Sequence, residues 1–314
     1  MEMQQLYLSY SSLMRTIAYR MTGSFADAED LVQDTFAEYS RLKQETIVNK
    51  QAYLARMITN RSINYMNSAR KKRELYVGEW LPEPDVRFGK AAADDPADVM
   101  ERKETISYAL LVLLEQLSAL ERAVFILRET LQYDYEEIAA SLGKTEPACR
   151  KLLSRAKMKL EQLSPGIAFS PERASSSRFS ADSITLAFLS AMQTGNADAL
   201  VALLTKDALL TSDGGGRVRA AIFTIIGSDR VCAFFRGLLP KGYLGDIAFQ
   251  ADINGQPGII MFKDGAPLRT VSFKLSEPNA DNERFIEHIY IVINPDKLQH
   301  VPLEVTNDFS PLSE

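Results

Sequence analysis

Residues 117–160 read LSALERAVFILRETLQYDYEEIAASLGKTEPACRKLLSRAKMKL, and they decide how the first half of the chain folds. Ser118 with Glu121, and Asp134 with Glu137, each match the capping box, in which two side chains at a helix start satisfy orphan backbone N–H groups reciprocally. Gly143 makes a turn, and Thr145-Glu146-Pro147 opens a further helix with proline in its first turn, where the missing N–H costs nothing. Helix, short helix, tight turn and basic helix in that order make a helix-turn-helix. In the last helix Cys149, Leu152, Leu153 and Ala156 fit an inward stripe, which leaves Arg150, Lys151, Ser154, Arg155 and Lys157 on the other face. Side chains so placed meet base edges and phosphates in a major groove, and an arginine bidentate on guanine adds ~1–3 kcal/mol of discrimination. The competing reading is a three-helix bundle with a basic exterior; turn, caps and charge agree on DNA.

Upstream, Leu6, Tyr10, Leu13, Ile17 and Met21 recur in steps of three and four, and Gly23 ends that helix. Ser24 to Asp27 resembles a capping box for a second helix with the buried stripe Ala28, Leu31, Thr35, Phe36 and Tyr39. Its other face carries Asp27, Asp30, Gln33, Asp34 and Glu38; acids near a helix N-terminus are favourable through the dipole, so a solvated surface is the plainer reading. A third helix is predicted from about Gln51 into the basic run Arg70, Lys71, Lys72, Arg73, passing Tyr53, Asn60, Arg61, Asn64, Tyr65 and Asn67. Aromatic, amide and cationic side chains together suit single-stranded or melting DNA, with core packing of the tyrosines as the alternative.

Between the helical blocks, VGEWLPEP (77–84) and AAADDPAD (91–98) cannot continue a helix. This linker holds the only tryptophan, so Trp80 is expected in an apolar slot, with Pro82 and Pro84 keeping the segment extended. The pattern is helical again from Met100. SPGIAFSPERASSSRFS (164–180) reads as a second linker. Beyond it two helical patterns, Ile184–Met192 and Ala197–Leu204, precede the alternating runs VRAAIFTI, GIIMFKDG, LRTVSFKL and RFIEHIYIVI, an α+β domain with helices on a curved antiparallel sheet. The expected boundaries are 1–76, 77–99, 100–163, 164–180 and 181–314.

The 314 residues suffice for two or three domains, and 46% hydrophobic with 25% charged residues is a globular composition. The N-terminus lacks a signal-peptide profile and no run approaches the roughly 20 apolar residues of a membrane span, so a cytoplasmic protein without membrane association is expected. Cys149 and Cys232 are far apart and show no metal-ligand spacing, so neither metal nor cofactor is expected. A net charge of −5 would disfavour DNA if it were spread evenly. From residue 181 onward 16 acids face 11 bases, however, while residues 1–180 balance at 25 each and cluster their cations in the two basic helices.

The block AYRMTGSFADAEDLVQDTFAEY (18–39) resembles the polymerase-binding and promoter-melting region 2 of extracytoplasmic-function sigma factors, and residues 117–160 resemble their region 4. The resemblance implies that Asp27, Asp30, Gln33 and Asp34 grip the clamp helices of core RNA polymerase. It implies too that Asn60 reads the minus-10 promoter element, and that Arg150 to Lys157 read minus-35. One position departs: Asn64 stands where many members carry aspartate. The remainder resembles the SnoaL-like domain fused to one sigma subfamily, whose marks appear as WLPEP (80–84), DGGGR (213–217) and NPDKL (294–298). There the fused domain takes the place of a separate anti-sigma protein.

For Asp213-Gly214-Gly215-Gly216-Arg217 a phosphate-cradling loop is discounted because strand-like residues follow; a turn whose bare backbone admits a neighbour is expected, with Asp213 and Arg217 as polar contacts. Asn294-Pro295-Asp296 either stops the last strand or docks on a neighbour. His288 on a predicted strand and His300 in the tail are the only histidines, with no nucleophile–base spacing, so catalysis is not expected. Two other readings stand beside the sigma factor. One is a polymerase-independent helix-turn-helix regulator sensing a small ligand in the C-terminal domain; the other is an enzyme with a DNA-binding appendage.

Overall fold

The computed structural model describes residues 3–42, 47–73, 75–88, 106–165 and 178–303. The chain divides into two compact units, Met1–Leu75 with Leu110–Phe169, and Tyr76–Ala109 with Ser170–Glu314.

The first unit is helical. Helix α1 (Met3–Thr22) ends at Gly23, whose φ of 72° is left-handed. Ser24 then caps α2 (Phe25–Tyr39) by accepting from the Asp27 N–H. Ala28, Leu31, Thr35, Phe36 and Tyr39 are all buried, and α1, α2 and α3 (Lys50–Arg73) pack on one another. Helix α4 (Tyr108–Leu114) leads to α5 (Ala119–Phe125), α6 (Tyr135–Leu142) and α7 (Glu146–Leu163). Both capping boxes form, at Ser118 and at Asp134. Gly143 takes φ 61° after α6, and Thr145 caps α7 with Pro147 in its first turn. The helical pattern read from Met100 lies outside the described residues up to 105. One irregularity has no counterpart in the sequence pattern: α5 continues into a π turn, Ile126–Thr130, where the Leu131 N–H reaches back to the Ile126 carbonyl at 3.1 Å. Arg122, fully buried, fixes α5 by donating from Nε to the Arg20 carbonyl at 2.8 Å and pairing with Glu115.

The second unit is α+β. Helices α8 (Arg178–Thr194), α9 (Ala197–Ala202) and α10 (Ser228–Leu238) accompany a seven-stranded sheet of order β1-β4-β5-β6-β7-β2-β3. The strands are β1 (Val86–Arg87), β2 (Leu204–Asp213), β3 (Ile225–Ile226), β4 (Ile247–Ile253), β5 (Gln256–Lys263), β6 (Ala266–Leu275) and β7 (Ile286–Val292). Phe188 of α8 meets Phe235 of α10 and Phe273 of β6 edge-on, at ring separations of 5.5 and 5.0 Å, in a core with Ile259, Val271 and Ile289.

Three details differ from the sequence reading. The sheet is mixed, because β2 pairs with β7 in parallel, Leu210 opposite Ile289; alternation marks a strand but says nothing of its neighbour's direction. VRAAIFTI is mostly loop: of its residues only Ile225 pairs, with Leu210, next to Ile226 opposite Leu209, and Ile222 and Phe223 stay exposed. The second linker gives way to α8 by Arg178, with residues 166–177 outside the described set. Strand β1 comes from the first linker: Val86 faces Ile253 and Arg87 faces Asp252, while Asp85 and Asn254 exchange hydrogen bonds at 2.8 and 3.0 Å. Both sheet edges are thus two-residue strands, too short to template further pairing.

Candidate functional site

The expected polymerase face lies on the outer side of α2. Asp30, Gln33 and Asp34 are exposed and Asp27 is half-buried, because the core-facing stripe Ala28, Leu31, Thr35 turns the intervening positions to solvent. Glu38, one turn beyond Asp34, extends the same row. Arg61 on the neighbouring α3 lies between these acids: its guanidinium reaches Asp34 Oδ2 at 3.1 Å and also pairs with Glu38.

Asn60 does not stand free for bases. Its Nδ2 donates to the Ser141 carbonyl of α6 at 2.9 Å, so a residue of the expected minus-10 helix touches the helix-turn-helix. Beside it a cavity of about 600 Å³ opens between Ala52, Tyr53 and Arg56 of α3 and Glu136, Ala140 and Ser141 of α6. Tyr53 also meets the Tyr39 ring edge-on at 6.1 Å. Arg70, Lys71, Lys72 and Arg73 occupy the last turn of α3, but their side chains lie outside the described set.

On α7 the stripe Cys149, Leu153, Ala156 and Leu160 is buried, so Arg150, Lys151, Ser154 and Arg155 face solvent. Burial raises the Cys149 thiol, which keeps it protonated and inert. Arg150 lies 4.0 Å over the Tyr135 ring and pairs with Glu146 at 3.1 Å. Lys157 pairs with Glu129 at 2.9 Å.

In the second unit the three motif segments converge. Lys297 Nζ lies 2.7 Å from Asp213 Oδ2 and donates also to the Leu81 carbonyl. Asp213 Oδ2 accepts from the Leu81 N–H at 2.8 Å, and Oδ1 from the Tyr76 hydroxyl at 2.6 Å and the Gly215 N–H at 2.9 Å. The two side chains are 0% and 8% exposed, so this pair is withdrawn from water with its polar atoms bonded. Burial first, and the Asp213 carboxylate second, push the Tyr76 phenol above its usual range, which keeps its proton available for that bond. Asn294 donates to the same hydroxyl at 3.0 Å and caps the turn Pro295–Leu298. Gly215, at φ 62°, is crowded by Asn294: an added Cβ would lie 2.3 Å from its Nδ2. The turn therefore needs glycine for conformation and for clearance alike. Arg217 and Asp296 pair at 2.9 Å nearer the surface.

Leu81, Pro82, Glu83 and Pro84 are buried, and Tyr108 donates to the Pro82 carbonyl at 2.7 Å. Leu81 is buried, while Trp80, expected in an apolar slot, is half-buried with Lys297 Nζ 4.0 Å over its ring. A ring face attracts a cation, so the aromatic covers a charge that a purely apolar slot would repel. Lys297 and Tyr76 are the participants that sequence reasoning missed. Lys297 was marked only by lying inside NPDKL, and Tyr76 by nothing beyond its place before the linker.

His288 stacks on Tyr290 at 4.1 Å, and its Nε2 bonds Thr211 Oγ1 at 2.8 Å. Burial, then the Lys274 charge, lower its pKa to about 3, far from the near-neutral value that suits a proton shuttle. Among the described residues no helix is long and apolar enough to cross a membrane, and no His, Cys, Asp and Glu cluster could hold a metal ion.

A three-helix bundle with an acidic stripe, a helix-turn-helix with a basic outer face and an appended α+β domain define a multidomain DNA-binding transcription factor. The model for sigma-70 region 2 matches residues 6–72, and that for sigma-70 region 4 matches residues 107–160. The chain is 29% identical to the ECF RNA polymerase sigma factor SigJ of Mycobacterium tuberculosis over 299 residues, covering 93% of this chain and 91% of that one. It is 26% identical to the probable ECF RNA polymerase sigma factor SigI of the same species, covering 92% of each. The crystal structure of SigJ superposes with a TM-score of 0.70 at 28% identity, over 93% of this chain and 96% of that one. The chain belongs to the extracytoplasmic-function branch of the sigma-70 family, with a SnoaL-like α+β domain behind regions 2 and 4. It is an RNA polymerase sigma factor, a class that binds core polymerase and promoter DNA.

Proposed function

We propose that this sigma factor is controlled in cis: its C-terminal domain holds the segment joining region 2 to region 4 and thereby governs how the two DNA readers are deployed. The supporting observation is the buried Lys297–Asp213 pair, bonded to both the N–H and the carbonyl of Leu81. A linker gripped by its backbone at that point, and paired as β1 at Val86, is not a free tether.

In this reading region 2 spans 1–76, the linker 77–99, region 4 100–163, a second linker 164–180 and the regulatory domain 181–314. Asp27, Asp30, Gln33 and Asp34 grip the polymerase clamp. Asn60, Arg61, Arg70, Lys71, Lys72 and Arg73 serve the minus-10 element, and Arg150, Lys151, Ser154, Arg155 and Lys157 serve minus-35. Trp80, Pro82, Pro84, Asp213, Arg217, Asn294 and Asp296 belong to the regulatory contact. The protein works in the cytoplasm as a transcription initiation factor, and its control needs no separate anti-sigma factor.

The test is transcription with core polymerase on a library of randomised promoters, comparing the full chain with Asp213→Asn. The expected result is at least a threefold change in output at matched polymerase occupancy; equal output and equal promoter choice would refute control in cis.

A further inference from the structure

Arg61 is committed on the wrong side for a DNA contact. It sits on α3, yet its guanidinium is turned toward α2, with NH1 3.1 Å from Asp34 Oδ2 and NH2 on Glu38. Asp34 and Glu38 are four residues apart, so they present two carboxylates on one helix face to the two ends of one guanidinium fork. The acids point outward, with side chains 68% and 56% exposed against 28% for Arg61. Cations of an arriving protein can therefore reach the carboxylates from solvent while Arg61 holds them from the other side.

We propose that Asp34 and Glu38 hold Arg61 away from DNA in the free chain and release it when polymerase takes the acidic row, coupling polymerase binding to promoter binding through one side chain. The proposal rests on the reading of α2 as the polymerase face and α3 as the DNA face, and it adds Glu38 to the polymerase-binding row. Each carboxylate has a limited capacity for cations at hydrogen-bond distance, and a polymerase lysine or arginine competes for the same oxygens. Arg61 then gains more from a phosphate or base than from the acids it shares. Coupling of this kind is reciprocal: DNA that draws Arg61 away leaves the acidic row more attractive to polymerase by the same factor. Exposed pairs are individually weak, so the coupling should be about three- to tenfold and should shrink as salt rises.

The test uses the full chain and fluorescence anisotropy with a labelled single-stranded DNA pool of randomised sequence, with and without core polymerase. Glu38→Gln should tighten DNA binding of the free chain about threefold or more, the gain should shrink at saturating core polymerase, and it should vanish in an Arg61→Gln background. An equal gain with and without polymerase would mark a general charge effect and overturn the proposal. So would a gain that persists without Arg61, or no gain at all. Capture of core polymerase by Asp30→Arg is measured alongside. Undiminished capture would sink the reading of α2 itself, whereas lost capture with an inert Glu38→Gln would sink the coupling alone.

Discussion

Two charge networks, one in each unit, use similar groups under opposite conditions. In the helical unit Arg61 shares two carboxylates at the surface; in the α+β unit Lys297 shares one carboxylate and a carbonyl in a buried site. At the surface the attraction is screened within a Debye length of ~8–10 Å and the partners can be exchanged for a visiting protein or nucleic acid at little cost. In the interior each charge has lost its hydration, so the pair persists only while every oxygen and proton is bonded, and it cannot be traded. One arrangement suits binding and release, the other suits fixing a segment permanently. In the proposed function the first serves the promoter and polymerase surfaces and the second serves the linker.

The largest effect is expected where the buried network is cut. Asp213→Ala takes the bonded carboxylate from the buried Lys297 ammonium and the acceptor from the Leu81 N–H. Breaking a buried pair on one side costs about 3–5 kcal/mol. Trp80, the only tryptophan, sits over this site, so its fluorescence reports the unfolding of the second unit. A urea midpoint of that signal within error of wild type would show the pair to be ornamental and dissolve the contrast.

Acid should act on the same unit with a smaller, graded effect. His288 holds a pKa of about 3 in the fold against about 6.5 in the unfolded chain. Between those values the unfolded chain takes up a proton that the folded one refuses. Stability contributed by the neutral imidazole is therefore full above about pH 6.5 and is lost as pH falls toward 3, at roughly 1.4 kcal/mol per unit, or about 2 kcal/mol by pH 5. Burial and the Lys274 cation, itself paired with Glu287, keep the ring neutral, and the Thr211 hydroxyl bonded to its Nε2 offers no carboxylate. His288→Gln should flatten the difference between unfolding curves at pH 7 and pH 5; an unchanged difference would place the acid sensitivity elsewhere.

What was legible in the sequence follows the range of the interaction concerned. Caps at Ser24, Ser118, Asp134 and Thr145 are bonds across three residues, and each was readable because both partners are adjacent in the chain. The same holds for the acidic row on α2, fixed by the stripe behind it. The role of Lys297 was not readable, since its partners lie 84 and 216 residues away and no local pattern ties them together. Nor was the capture of Asn60 by Ser141, 81 residues distant and through a backbone carbonyl that any residue would supply. For Trp80 aromaticity predicts burial, but a cation above the ring is visible only when the fold brings Lys297 there.

The smallest effect is expected at the surface network, and its smallness carries the argument. Asp34→Asn or Glu38→Gln removes one of two exposed partners of Arg61, so the folded helical unit should lose less than about 1 kcal/mol. Raising salt from 0.1 to 1 M, which shortens the Debye length from ~10 to ~3 Å, should erase even that. Chemical denaturation followed by far-ultraviolet circular dichroism at the two salt concentrations measures it. A loss of several kcal/mol, indifferent to salt, would mean that Arg61 is pinned as firmly as Lys297 and has no freedom to turn toward DNA. A loss near zero leaves the side chain where an exchangeable contact requires it, held strongly enough to be turned aside in the free chain and weakly enough to be taken.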